Sequence, residues 1–260
     1  MPPRNDEPER VNAYANLYAD KKALIVLGGT SAKSWQHLYK ETGADVVLGA
    51  NGVNSLIPNL DFHMVIENMK RTARLANKKD PRAMHFMQML RRTGASTRLY
   101  NHKNAALLGA NVSREGLVGV QRRGSFDADK VPPDFSFREY GSGFIKGGLM
   151  KDKQAIGNLQ LPIGTVALQL LHMAGILGVR QVHTIGLDLC FTPGESHHAY
   201  TYPGYMPNTY FLPANFITYK GFSTMSFWKE SAEFLTAIKP CMDDVGLEWI
   251  DHSHGLLGHL

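Results

Sequence analysis

Four times along this chain a helical pattern ends at a glycine and an apolar run begins a few residues later. The pairs are Gly43 before DVVLG, Gly94 before TRLY, Gly178 before VHTIG and Gly246 before EWI. Glycine ends helices because it enters the left-handed region without a Cβ penalty. Runs that are apolar at successive positions belong to strands covered on both sides. Helix and buried strand alternating through short glycine-capped connections predict an α/β fold: a parallel sheet with helices on both faces.

The length of 260 residues fits one large domain of this kind. We expect residues 1–20 to form an N-terminal arm, turning helical near 11–18, and residues 21–260 to form a single α/β domain. Hydrophobic residues at 43% supply a core, and the formal net charge is +5. The basic residues form no block with interleaved aromatics, so a nucleic-acid partner is not expected. Cys190 and Cys241 make neither a disulfide framework nor metal-ligand spacing, which fits a reducing, cytoplasmic location. The start, MPPRNDEPER, has no apolar core of a signal peptide. The longest apolar run, near 166–179, is broken by Gln169 and His172 and is short for a bilayer, so no transmembrane segment is expected.

Taken in order, 23–27 (ALIVL) reads as a central strand that ends in Gly28, Gly29, Thr30 and Ser31. The next helix carries Trp35, Leu38 and Tyr39 on one face, with Thr30 or Ser31 able to cap its start. Strands follow at 45–51, leaving through Asn51 and Gly52, and at 62–67, leaving through Glu67. A helical pattern across 68–92 leads to a strand at 97–100. The stretch 101–160 is expected to be a long irregular, lid-like insertion, with a short strand possible only at 116–121. Its scattered aromatics, Phe126, Phe135, Phe137, Tyr140 and Phe144, suit either a lid or plugs in the core. Then 164–177 reads as a helix apolar on nearly all sides, and 182–189 as a buried strand that opens into Asp188. A tyrosine- and proline-rich loop at 193–213, an amphipathic helix at 226–245 and a last strand at 247–251 complete the pattern.

In an open parallel sheet, ligands bind beyond the carboxyl ends of the strands, where the strand order reverses. The polar groups expected there are Gly28, Gly29, Thr30, Ser31, Asn51, Gly52, Glu67 and Asp188. The GGTS turn matches neither the dinucleotide fingerprint nor the P-loop, but its N–H groups can face a phosphate. It also serves as a plain tight turn. Asp188 suits ribose hydroxyls, Mg²⁺ or the capping of a turn, and Glu67 is similar. His198 is placed to act as a general base, or it is structural. His197 and His198 are adjacent and do not have zinc spacing. Tyr200, Tyr202, Tyr205 and Tyr210 either bond a phosphate or pack the loop down. His252, His254 and His259 read as ordinary surface or turn residues.

The motifs are a strand ending in GGTS, a second ending in Asn51, a third ending in an acidic residue, and then GTVALQLLHMAGILGVRQVHTIGLDL with a histidine shortly after. Together they resemble the MptE-like superfamily. That group joins archaeal 6-hydroxymethylpterin diphosphokinases with Maf-type flagellin glycosyltransferase domains. The pattern is also similar to bacterial lipooligosaccharide sialyltransferases, which use CMP-sialic acid. The resemblance covers roughly 23–67 and 164–255. The chain departs from it at the first turn, which lacks the family's proline, and at Glu67, where an aspartate is usual.

The resemblance implies a Rossmann-like layout and a nucleotide lined by Gly28, Gly29, Thr30, Ser31 and Asn51. It also implies Gly164 and Thr165 against the phosphate or base, Asp188 on the ribose or a metal, and His198 as base. The expected function is a nucleotide-dependent transferase, first of all a sialyltransferase-like glycosyltransferase with a CMP-sugar donor and a hydroxyl acceptor. One alternative is an ATP diphosphokinase with Mg²⁺ on Asp188 and Glu67. The other is a nucleotide-binding module without chemistry. No cofactor is certain.

Overall fold

The computed structural model describes residues 16–57, 59–65, 74–80, 83–84, 97–101, 117–120, 166–192, 194, 198–200, 216–243 and 246–259. The elements that build its main layer are strands β1 (Lys22–Val26), β2 (Val46–Ala50), β3 (Phe62–Val65), β4 (Thr97–Asn101) and β5 (Leu117–Val120). Helix α1 (Trp35–Thr42) lies between β1 and β2 in the chain. Helix α2 (Val166–Ile176), β6 (Gln181–Ile185), the pair β7 (Phe216–Tyr219) and β8 (Phe222–Met225), helix α3 (Ser226–Asp243) and β9 (Glu248–Asp251) follow.

Seven strands form one sheet in the order β5-β4-β3-β2-β1-β6-β9. Every neighbouring pair in it is parallel. The protein is therefore an α/β protein with a parallel sheet. The chain builds outward from β1 to β5, then crosses back and continues on the other side of β1 with β6. The strand order thus reverses between β1 and β6, where Val26 stands beside Ile185.

The apolar runs explain this placement. Ala23, Leu24, Ile25 and Val26 have no exposed surface at all, as expected for a central strand. Their side chains alternate between two cores. Ala23 and Ile25 pack with Leu168, Leu171 and Ala174 of α2 and with Phe234 and Leu235 of α3. Leu24 and Val26 pack with Leu38 of α1, Ile57, Leu60 and Tyr200. Both faces of β1 are covered.

Three of the four glycine caps are described, and all three are left-handed: Gly43 at φ 61°, Gly178 at φ 76° and Gly246 at φ 78°. Gly94 lies outside the described residues. So does most of the expected insertion, of which Asn101 and β5 are described, and β5 extends the sheet there.

Two local expectations are corrected and two features are added. The strand expected to reach Asp188 ends at Ile185, because Gly186 turns left-handed at φ 81° and breaks the extended run. The helix after GGTS starts later, since Thr30–Ser34 is a 3-10 turn and the caps make no side-chain bond. Residues 16–20 of the expected arm dock on the end of α2: Tyr18 N–H donates to the Leu177 carbonyl at 2.9 Å and Asp20 N–H to Gly178 at 3.2 Å. Finally, β7 and β8 form an antiparallel hairpin that was not anticipated. Its two turn residues, Lys220 at φ 49° and Gly221 at φ 82°, both adopt the positive φ that tight two-residue hairpins require.

Candidate functional site

The β1–β6 ladder does not stop where the strands end. Leu27 N–H donates to the Ile185 carbonyl and Gly29 N–H to Gly186, each at 2.8 Å. This carries the backbone of the first turn across to the exit of β6. The left-handed Gly186 then swings the chain so that Asp188 points back at that turn.

Asp188 is 5% exposed, and both of its carboxylate oxygens accept hydrogen bonds. Oδ2 accepts the Ser31 N–H at 3.0 Å and the Thr30 hydroxyl at 3.2 Å. Oδ1 accepts the Ser31 hydroxyl at 2.5 Å. Ser31 Oγ in turn accepts the Gly186 N–H at 2.9 Å, which fixes the direction of its own proton toward Asp188. Two further N–H groups at the turn bond within the protein. Gly29 is bonded to Gly186 as above, and Ala32 N–H donates to the Gly29 carbonyl at 3.1 Å. The Gly29, Ser31 and Ala32 N–H groups and the two hydroxyls therefore bond within the protein. From behind, Leu256 N–H donates to the Asp188 carbonyl at 2.8 Å, and Gly255 lies so close to that backbone that a Cβ would overlap it.

On the other side of the turn, His198 and Tyr200 lie over Gly28. Their rings are stacked, with centroids 4.8 Å apart and planes 10° apart. The Ala199 N–H donates to the Gly28 carbonyl at 2.9 Å, and His198 Nδ1 reaches the same oxygen at 3.3 Å. A carbonyl can only accept, so this contact assigns the proton of the neutral ring to Nδ1 and the basic lone pair to Nε2. A Cβ on Gly28 would stand 3.0 Å from Nδ1 and 3.1 Å from the Tyr200 hydroxyl, so glycine is what lets the two rings settle here. The hairpin steadies the connecting segment: Thr224 donates its hydroxyl to the Leu189 carbonyl at 2.6 Å, and Phe191 N–H donates to Ser223 at 2.8 Å.

The structure thus brings Gly28, Gly29, Thr30, Ser31, Asp188, His198 and Tyr200 together at the reversal point. Asn51 and Gly52 lie at the exit of β2, next to β1, in the 3-10 turn Asn51–Ser55. Asn51 is left-handed at φ 49°, and its carbonyl meets the buried His63 Nε2 at 2.8 Å. Glu67, Gly164, Thr165 and Tyr202 lie outside the described residues.

Two groups escaped the sequence reading. Asp251, at the exit of β9, accepts the Thr184 hydroxyl at 2.6 Å and the Ser253 hydroxyl at 2.9 Å, both on Oδ1. Trp249 Nε1 donates to Thr184 and the Leu187 N–H to Ser253, so both hydroxyls are held as donors to the carboxyl. Burial pushes the Asp251 pKa up, and the charge of Asp188 adds to this, against the three hydrogen bonds that lower it. The rule that picked Asp188, the first polar residue after an apolar run, would have found it. The second group adds a buried partner to His252, which reads from sequence as an ordinary surface or turn residue. Its Nε2 lies 2.9 Å from Nδ1 of the buried His183. Gln181 bonds both Glu248, at 2.7 Å, and His183 Nε2, at 2.9 Å. No local pattern announces such a pair.

Cys190 follows Asp188 by two residues, but burial and the Asp188 charge push its pKa up to about 11, so the thiol stays protonated at neutral pH. Among the described residues no group of three His, Cys, Asp or Glu side chains is arranged to hold a metal ion. No helix among them is long and apolar enough to cross a membrane. The class that fold and site define is an α/β protein with a polar cluster at the reversal point of a parallel sheet. No protein-family model matches the chain, and no curated protein does.

Proposed function

We propose that this protein is a nucleotide-dependent transferase with a Rossmann-like layout, and specifically a sialyltransferase-like glycosyltransferase using a CMP-sugar donor. The observation that carries the reading is the His198 ring seated at the reversal point, with Nδ1 turned to the Gly28 carbonyl. The resemblance to the MptE-like and sialyltransferase families, on the motifs quoted above, points to the same residue.

In this reaction His198 Nε2 takes the proton of an acceptor hydroxyl. The acceptor oxygen bonds to the anomeric carbon while the bond from that carbon to the nucleotide phosphate breaks. The phosphate leaves with the bonding pair, and the phenol of Tyr202 is the donor assigned to its charge, while Tyr200, buried on Gly28, packs the turn. Asp188 keeps the turn in shape beneath. Asn51, Gly52, Gly164 and Thr165 are assigned to the nucleoside. Positioning and electrostatics supply most of the rate.

A diphosphokinase would use Asp188 and Glu67 on Mg²⁺. Asp188 is buried and already accepts three hydrogen bonds, which makes this the weaker reading. Thermal shifts with CMP, CDP, UDP and ATP, each with and without Mg²⁺, separate the two. Stabilisation by CMP without metal supports the glycosyltransferase. Stabilisation by ATP only with Mg²⁺ replaces it by the kinase, and binding with no transfer to any acceptor leaves a binding module. Replacing His198 by Ala is expected to lower turnover on the order of 10²–10⁴-fold with binding little changed. A fully active variant removes His198 from the mechanism.

A further inference from the structure

We propose that Asp188 is a built-in anion filling the phosphate position of the first turn, so that this turn receives the uncharged part of a ligand, base or sugar, and rejects its phosphates. The ligand class rests on the nucleotide reading above. The filling of the turn stands on geometry alone.

A strand, a glycine turn and a helix start gather N–H and hydroxyl donors at one point, which is why such turns hold phosphate. Here the point is already taken. The Ser31 N–H, the Ser31 hydroxyl and the Thr30 hydroxyl all converge on one carboxylate. The carboxylate also sits close to the backbone, as a phosphate would: a Cβ on Gly29 would stand 2.5 Å from Asp188 Oδ2. It cannot swing away freely, since it is 5% exposed and its own backbone is held by Leu256.

A phosphate arriving about 4 Å from this carboxylate meets a like charge. At an effective dielectric of about 20 the repulsion weakens binding by roughly 10³-fold. A neutral base or sugar escapes that repulsion. Asp188 therefore acts as a specificity-determining residue through the turn it fills, not as a ligand to ribose or metal.

Anion rescue tests this. At matched ionic strength, millimolar formate or inorganic phosphate is expected to leave the melting temperature of the wild type unchanged. Asp188→Ala should melt lower and be raised again by formate or phosphate but not by chloride. Asp188→Asn, which keeps the shape, should stay unresponsive. Rescue by neither anion, or phosphate stabilising the wild type, overturns the proposal. Should Asp188→Ala not fold, amide NMR of the wild type decides instead: phosphate perturbing the Gly29, Ser31 and Ala32 amides overturns it, and unmoved amides support it. In the same titration cytidine is expected to shift these amides as CMP does. If neither binds, the nucleotide reading fails while the rescue result still stands.

Discussion

Asp188 and Asp251 follow neighbouring strands of one sheet and end up in opposite situations. Asp188 faces the glycine turn after β1, and donors engage both of its oxygens, one of them a backbone N–H. Asp251 has both hydroxyls on a single oxygen, and burial raises its pKa. Each carboxylate accepts two hydroxyls and one backbone N–H; the difference lies in how the hydroxyls are shared between the two oxygens and in where along the chain the donors come from. Glycines at 29 and 186 let two backbones approach closely enough to aim donors at Asp188. At Asp251 the hydroxyl and the backbone of Ser253 are donors from only two residues along the chain, joined by the Thr184 hydroxyl.

The strongest way to break this contrast is to delete the Asp188 carboxylate. Asp188→Ala strands three donors in a buried place and is expected to cost about 3 kcal/mol, read by chemical denaturation. A loss below about 1 kcal/mol would mean that water replaces the carboxylate and that the clamp is weak.

Gly29→Ala attacks the same clamp from the backbone. Its Cβ would sit 2.5 Å from Asp188 Oδ2 and 2.7 Å from the Gly186 carbonyl, so either the turn or the carboxylate must move. A cost of about 2 kcal/mol is expected. Full stability in this variant would show the turn to be looser than its hydrogen bonds imply.

The conservative pair sharpens the comparison. Asparagine cannot accept on both ends, so Asp188→Asn is expected to cost about 1–2 kcal/mol at neutral pH. Asp251→Asn keeps an acceptor for both hydroxyls and removes a buried charge, so it should be within about 0.5 kcal/mol of the wild type. The sign of the pH effect follows from the raised pKa. The native state of Asp251 binds the proton more tightly than the unfolded chain. Its contribution is fully present below the ordinary carboxyl range and is lost as pH rises through the folded value. Asp251→Asn should flatten that part of the stability profile, and an unchanged profile would place the titration elsewhere.

The smallest effect concerns the histidine pair. Burial first, then His252 and Lys22, lower the His183 pKa, while Glu248 and Glu41 oppose the shift. The folded state therefore holds the proton less tightly than the unfolded chain. The stability due to neutral His183 is fully present above the ordinary value near 6.5 and is lost as pH falls toward the depressed one. The wild-type profile should slope in that window and the His183→Gln profile should slope less. Equal slopes would assign the effect to other histidines.

Much of the fold was legible because buried parallel strands and glycine caps leave local traces. The runs at 23–27, 45–51 and 247–251 lie on β1, β2 and β9, and Gly43, Gly178 and Gly246 end helices as expected. The hairpin escaped because its turn, Lys220-Gly221, carries only one glycine and its strands are four residues each. The strand before Asp188 looked too long because a glycine inside an apolar run does not reveal its φ. The candidate site was legible as a set of residue types at strand exits. What each of them does was not, since Asp188 suited a ribose, a metal or a cap on sequence grounds alone.

By itself the sequence determined the alternation of helix and strand, the burial of the central strands and where helices stop. These depend on residues within a few positions of one another, through backbone sterics and the run of apolar side chains. Only the tertiary structure decided that Asp188 bonds Ser31, 157 residues away, and that His198 rests on Gly28, 170 residues away. Parallel strands are joined by long crossovers, so their order and register set which exits meet. A hydrogen bond depends on that meeting to a few tenths of an ångström.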